Sequence, residues 1–370
     1  MEESQIDVFN FDPIRPYNDE ELKAAIERIL EVPEFYKMLK WVFPGLSRAA
    51  IQKMLRQVTT VDEFQSEISG PAFKMAIQTT TSGLSFTNFE SLDKTKPYLF
   101  LSNHRDIILD SAILNVSLLE QGHKTTQIAI GDNLLRQKVV EDIVRSNKNF
   151  IVNRNVNAKE MFYYSLRLSN YIRHTLTQDH TSIWIAQREG RAKDGFDRTD
   201  PALLKMLLLA YRDEESPISA LLAQAQIVPV SVSYEVDPCG TKKAEELVAI
   251  ARDGEYQKAE HEDLQSMILG LMGYKGRVHL SFARPIDNVG DVEQLTERLD
   301  KDIVSNYRTF PTHRYAAKTL AGSQDREDVS TDKALVALKA DLAACGDDEK
   351  TNLLQQYANV WENRKALGID

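Results

Sequence analysis

Two apolar rhythms divide this chain. Up to about residue 82, hydrophobic positions recur three and four apart, the spacing of helices that bury one face. Asn18–Leu30 opens on Asn18 and the acidic Asp19, Glu20 and Glu21, a helix start. Pro33 and the Pro44-Gly45 pair punctuate the next stretch. Within it, Phe35–Phe43 is amphipathic, with aromatics and two lysines: a helix packed on a core, or an anchor lying on a membrane surface. From about residue 83, short apolar runs alternate with helical stretches. Leu84–Phe89, Tyr98–Leu101, Thr126–Ile130, Phe150–Val152, Ser182–Ala186, Ile227–Val236 and Arg277–Phe282 predict strands. Ser111–Glu120, Asn133–Arg145, Ala158–Thr177, Pro201–Tyr211 and Lys242–Ala251 predict helices between them. Such alternation implies an α/β fold, a mostly parallel or mixed central sheet flanked by helices. The tail from Tyr315 is charged, with Leu335, Leu338, Leu342, Leu353 and Val360 spaced for one or two closing helices. The expected organisation is an N-terminal helical region over 1–82, an α/β domain over 83–314 and a C-terminal helical tail over 315–370.

Composition narrows the function classes. A net charge of −10 argues against a dedicated nucleic-acid binder, while leaving room for a local basic pocket. No run of about 18 apolar residues supports a membrane span. The acidic start, Met1–Asp7, lacks the basic and apolar regions of a signal peptide. Cys239 and Cys345 form neither a metal spacing nor a disulfide framework, which suits a reducing compartment. A cytoplasmic protein is expected.

The chemistry concentrates at Asn103-His104-Arg105-Asp106 and Asp110. An apolar run precedes this stretch and a helical one follows. It therefore falls at a strand-to-helix turn, where ligands collect at the carboxyl ends of a sheet. An imidazole oriented by a carboxylate is a general base able to activate a hydroxyl. A protein-kinase reading of His104-Arg105-Asp106 fails, because position 111 is serine where the metal-binding asparagine is required. There is also no Asp-Phe-Gly triplet.

Three more stretches invite a role. Arg188, Glu189, Gly190, Arg191 and Lys193 follow a predicted strand and make either an anion pocket or a solvated charged loop. Ile227–Glu235 reads as a core strand, with Pro229 in its first turn or at an irregularity. Asn149–Arg154 is a strand ending in a cation, which alone is an ordinary surface residue. His123, His174, His180, His261, His279 and His313 share no metal spacing. Solvent-facing or packed roles are the ordinary reading for them, and His313-Arg314, after Pro311, reads as a loop within reach of the pocket.

In order, these blocks resemble the glycerolipid acyltransferases, whose signature runs Asn-His-x4-Asp, Phe-Ile-x-Arg, Pro-Glu-Gly-x-Arg and an apolar Val-Pro-Val strand. The matching residues are Asn103-His104 with Asp110, Phe150-Ile151 with Arg154, Glu189-Gly190-Arg191, and Val228-Pro229-Val230. The resemblance spans roughly residues 84–290. Here five residues separate His104 from Asp110 instead of four, and the Phe-to-Arg block is one longer and lacks its preceding glycine. Arg188 replaces the proline. Asp106 competes with Asp110 for His104; Asp110 is preferred because Ser111–Leu114 continues the helix as the family pattern does.

The resemblance implies that His104, held by a carboxylate, activates an acceptor hydroxyl against an acyl thioester. Arg154, Arg188, Arg191 and Lys193 would hold an anionic head group, and Glu189 would orient a hydroxyl or a cation. Val228–Val230 would line the acyl channel or support the site. No bound cofactor is implied: acyl-CoA or acyl carrier protein serves as co-substrate, with glycerol phosphate or a lysolipid such as lysophosphatidate as acceptor. Contact with the inner face of the membrane would be peripheral, near residues 35–46. Two other readings stand beside this: O-acylation of a lyso-aminolipid, and a catalytically silent lipid- or acyl-carrier-binding protein.

Overall fold

The computed structural model describes residues 6–135, 137–154, 156–259, 262–323 and 331–369. Seven strands form one sheet: β1 (Gly83–Thr87), β2 (Leu99–Ser102), β3 (Gln127–Gly131), β4 (Asn149–Val152), β5 (Ile183–Ala186), β6 (Ile227–Tyr234) and β7 (Arg277–Phe282). Their order is β1-β7-β6-β2-β5-β3-β4, parallel throughout except for the antiparallel β6/β7 pair. Each is a strand predicted from its apolar run. β1 stops two residues early because Asn88 takes a left-handed φ of 61° and turns the chain into a 3₁₀ helix.

The central strands β2 and β6 are buried along their whole length, which is why they read as continuous apolar runs rather than alternating ones. Pro229 sits third in β6. Its carbonyl accepts from Ala283 N (2.9 Å), so its missing N–H faces the β7 side, just beyond the last ladder pair Val230↔Phe282. At the far edge, Ile14 O accepts from Ile151 N (2.8 Å) and covers β4.

Each face of the sheet carries a core. On one face Phe100, Trp184, Val228, Val230, Val232 and Phe282 pack with the helix Leu109–Glu120. On the other, Leu99, Leu101, Ile183 and Ile185 pack against the helices Ala158–Thr177 and Pro201–Leu208. Truncating a fully buried side chain such as Leu101 to Ala costs about 2–5 kcal/mol.

The N-terminal helices Asp19–Leu30, Pro33–Val42 and Arg48–Gln57 share their own cluster, to which Val139 and Ile143 of the helix Lys138–Ser146 are added. Asn18 caps the first of them, in a reciprocal pair with Glu21. A π-helical turn, Phe64–Ser69, leads into the helix Gly70–Thr80, which lies on Leu109–Glu120. Phe35, Leu39 and Val42 are buried here, whereas Met38 is exposed.

Several predicted boundaries move, two of them with a visible structural cause. The helix expected from Asn133 starts at Lys138, because Asp132–Leu134 forms a separate 3₁₀ turn at the end of β3. The tail begins inside the helix Pro311–Leu320, which packs on Asp347–Ala366 and therefore crosses the boundary expected at 315. Lys333–Ala344 and Asp347–Ala366 are the closing helices.

Candidate active site

The chain leaves β2 at Ser102 and turns before the helix begins at Leu109. No side chain at Ile108 caps that helix. Asp106 does so, its Oδ1 accepting from the N–H groups of Ile108 (2.9 Å) and Leu109 (2.8 Å). Asp110 lies in the first helical turn, fully buried, where the positive end of the helix dipole favours a carboxylate. Its Oδ2 lies 2.8 Å from His104 Nδ1 and accepts from the N–H groups of Arg105 (2.6 Å) and Asp106 (3.0 Å). Its Oδ1 accepts from the Tyr234 hydroxyl (2.8 Å).

A carboxylate only accepts, so Nδ1 of His104 carries the proton and Nε2 keeps its lone pair. The extra residue between His104 and Asp110 is taken up by the turn, whose backbone closes on Asp110. Trp184 meets the imidazole edge to face, with ring centroids 5.8 Å apart, and donates from Nε1 to Ser102 Oγ (2.9 Å).

Asp106 belongs to the cap, with its carboxylate against Gly270, where a Cβ would overlap it. Burial, and then the charge of Asp110, raise the Asp106 carboxyl above the usual range. Asn103 pairs with β6 as a strand would: Oδ1 accepts from Val232 N (2.8 Å) and Nδ2 donates to Val232 O (3.0 Å). Buried Arg105 bonds Asp197 (2.6 Å) and stacks over Tyr307, which makes it part of the scaffold.

The cationic loop after β5 is fastened to this turn. Gln187 N donates to Ser102 O and Ala192 N to His104 O, each at 2.8 Å. Gly190, at φ 75°, supplies the left-handed step between Arg188 and Arg191. These residues line a cavity of about 500 Å³ that contains His104. Its walls are largely apolar, including Phe73, Ile108, Val116, Ile128 and Ile268. Arg154 pairs with Glu189 (3.0 Å) and Lys193 with Glu246. Arg188 and Arg191 make no ion pair among the described residues, and Arg188 Nε and Arg191 Nη1 are buried without a hydrogen-bond partner. Arg188 and Arg191 also line the cavity, and a guanidinium there suits a bidentate anion.

The fold thus brings His104, Arg154, Arg188, Gly190, Arg191 and Lys193 to one groove. Glu189 lines the neighbouring cavity and holds Arg154 from there. Val228 and Val230 do not line the groove; they are core beneath it. His313 is not in a loop at the pocket. It lies buried in the first turn of Pro311–Leu320, its Nδ1 accepting from Phe310 N (2.9 Å), and burial lowers it to about 3. His279, held between Ser85 and Thr87, is likewise lowered by burial, to about 4. His261 lies outside the described residues.

Tyr234 went unassigned by sequence reasoning. Its signal was a phenol in an otherwise apolar buried strand, whose hydroxyl needs a partner.

Residues 83–233 match the family model described as Acyltransferase, a segment that holds His104, Asp110, Arg154, the cationic loop and all but the last residue of β6. Over that segment the chain carries an acyltransferase domain. Among solved structures it is similar to the 1-acyl-sn-glycerophosphate (LPA) acyltransferase PlsC from Thermotoga maritima, at 15% identity. That similarity covers 77% of this chain and 92% of the other, with a TM-score of 0.37, too distant to bear on substrate. No curated protein matches.

Proposed function

We propose that this acyltransferase moves a fatty acyl group from acyl-CoA or acyl carrier protein to a hydroxyl of glycerol 3-phosphate or a lysophospholipid such as lysophosphatidate. The observation that carries this reading is the 2.8 Å His104–Asp110 pair at an apolar groove that also holds two arginines without an ion pair among the described residues.

Nε2 of His104 takes the proton as the acceptor oxygen forms its bond to the thioester carbonyl carbon. The resulting oxyanion re-forms the carbonyl and expels the thiolate, which leaves as the thiol with the proton from Nε2. Asp110 holds the tautomer and stabilises the imidazolium. Arg188 and Arg191 bind the anionic head, with Arg154 and Lys193 beside them. No step requires a metal or a bound cofactor.

No helix among the described residues is long and apolar enough to cross a membrane. The groove mouth offers the peripheral contact instead, through exposed Met38, within the 35–46 stretch, and through Leu264 and Ile268. On this reading the protein works in the cytoplasm at the inner membrane face.

The test is to incubate wild type and His104→Ala with both thioester types and three acceptors: glycerol 3-phosphate, lysophosphatidate and a lyso-aminolipid. Products are read by mass spectrometry. A His104-dependent phospholipid product supports the proposal; equal turnover by the two proteins, or no product, overturns it.

A further inference from the structure

A second cavity, of about 480 Å³, lies across the sheet from the groove, and the reaction above leaves it unused. Both cavities fall within the roughly 300–1,000 Å³ range of small-molecule sites. The second is walled by Ile151 and Ile185 of the sheet, by Leu168 of Ala158–Thr177, and by Leu203 and Met206 of Pro201–Leu208. It shares Gly131, Arg154 and Arg188 with the groove that holds His104. The two chambers therefore meet over the ends of β3 and β5 at a pair of cations. A Cβ at Gly131 would overlap the Arg154 side chain, so the glycine lets that guanidinium lie across the strand end.

Resting on the acyl-transfer reading, we propose that this second cavity receives the hydrocarbon chain already attached to the acceptor. The acceptor is then an anionic lysolipid rather than glycerol 3-phosphate. Acylating a lysolipid requires room for two chains, whereas acylating glycerol 3-phosphate requires room for one. The anionic head sits at Arg188 and Arg191 with Arg154 beside them, its own chain runs back between the two helices, and its free hydroxyl points to His104 Nε2. The donor chain takes the larger groove. Among the described residues the charges of the second cavity are Arg154, Arg188, Glu189 and Asp200, with no further cation of the kind a phosphate-rich nucleotide carrier would need.

The test uses Ala202→Phe, at an exposed position on the cavity wall, and Leu203→Trp, further in. Titration calorimetry measures binding of glycerol 3-phosphate and of hexanoyl, lauroyl and oleoyl lysophosphatidate. Transfer assays vary the donor chain separately. Wild type should bind the oleoyl lysolipid at least about tenfold more tightly than the hexanoyl one, because the added methylenes become buried. In both variants that preference should collapse, while the order of preference among donors stays as in wild type.

Chain-length dependence that survives both substitutions overturns the proposal. So does a shift in donor preference instead, or binding of glycerol 3-phosphate as tight as that of any lysolipid. Lysolipid binding without transfer from any thioester would remove the acyl-transfer reading and leave the chamber. Transfer to glycerol 3-phosphate alone would do the reverse.

Discussion

The turn at His104 and the loop at Arg188–Lys193 sit side by side, yet they are finished to different degrees. In the turn, each Asp110 oxygen has its donors: Tyr234 on one side, and two backbone N–H groups with the His104 ring on the other. In the loop, Arg188 and Arg191 carry buried N–H groups with no acceptor. Buried polar groups are normally satisfied, because leaving one unmatched costs about 1–3 kcal/mol. The turn is thus set before substrate arrives, which is what the proposed general-base role of His104 requires. On the proposed reading, the loop keeps the charge of Arg188 and Arg191 for an anionic acceptor.

If that contrast holds, substitutions in the two regions fail in different kinetic terms. The largest effect belongs to the turn. His104→Ala should lower kcat by about 10²–10⁴-fold with little change in melting temperature. Asp110→Asn should approach that loss, because the amide disturbs the tautomer. It should also destabilise the fold by about 1–3 kcal/mol, since one of its partners meets a donor instead of an acceptor. Thermal melts beside steady-state kinetics separate the two variants.

Next comes the loop. Arg191→Ala should raise the acceptor KM by about 10–100-fold, the value of a charge-assisted hydrogen bond of about 1.5–3 kcal/mol, with kcat nearly unchanged. A kcat defect with unchanged KM would place Arg191 with the reacting atoms and erase the contrast. Tyr234→Phe removes one hydrogen bond from Asp110 and should lower kcat only several-fold, for about 1 kcal/mol.

The smallest effect is expected at Asp106. Its folded-state carboxyl is raised by burial and by Asp110, so ionisation costs stability that is lost as pH rises above the unfolded carboxylate range near 4. Asp106→Asn keeps an oxygen for the Ile108 and Leu109 N–H groups and removes that cost. It should retain activity and be as stable as wild type or more so, with the margin widening from pH 4 towards neutrality. Loss of activity in this variant would return Asp106 to the competition for His104.

Much of the fold was legible in the periodicities. The strands predicted from apolar runs form the sheet, and Ala158–Thr177 is a helix over its predicted length. One misreading has a local cause. Pro311 looks like a loop signal, but it occupies the first turn of a helix, where its missing N–H costs nothing, and His313 is buried behind it. Of the two readings open for Val228 and Val230, lining a channel or supporting the site, the second stands, because a strand buried on both sides has no free face to offer.

The sequence by itself determined the order of strands and helices, the acyltransferase blocks, and the set of cations and carboxylates available to a site. These depend on local periodicity and residue chemistry. Only the tertiary structure decided which carboxylate holds His104, because Asp106 and Asp110 are both within sequence reach and the helix start separates their jobs. It alone joined Tyr234 to Asp110, 124 residues apart. It also decided which cations are spent on Glu189 and Glu246 and which remain unpaired, since pairing depends on distances that no spacing along the chain encodes.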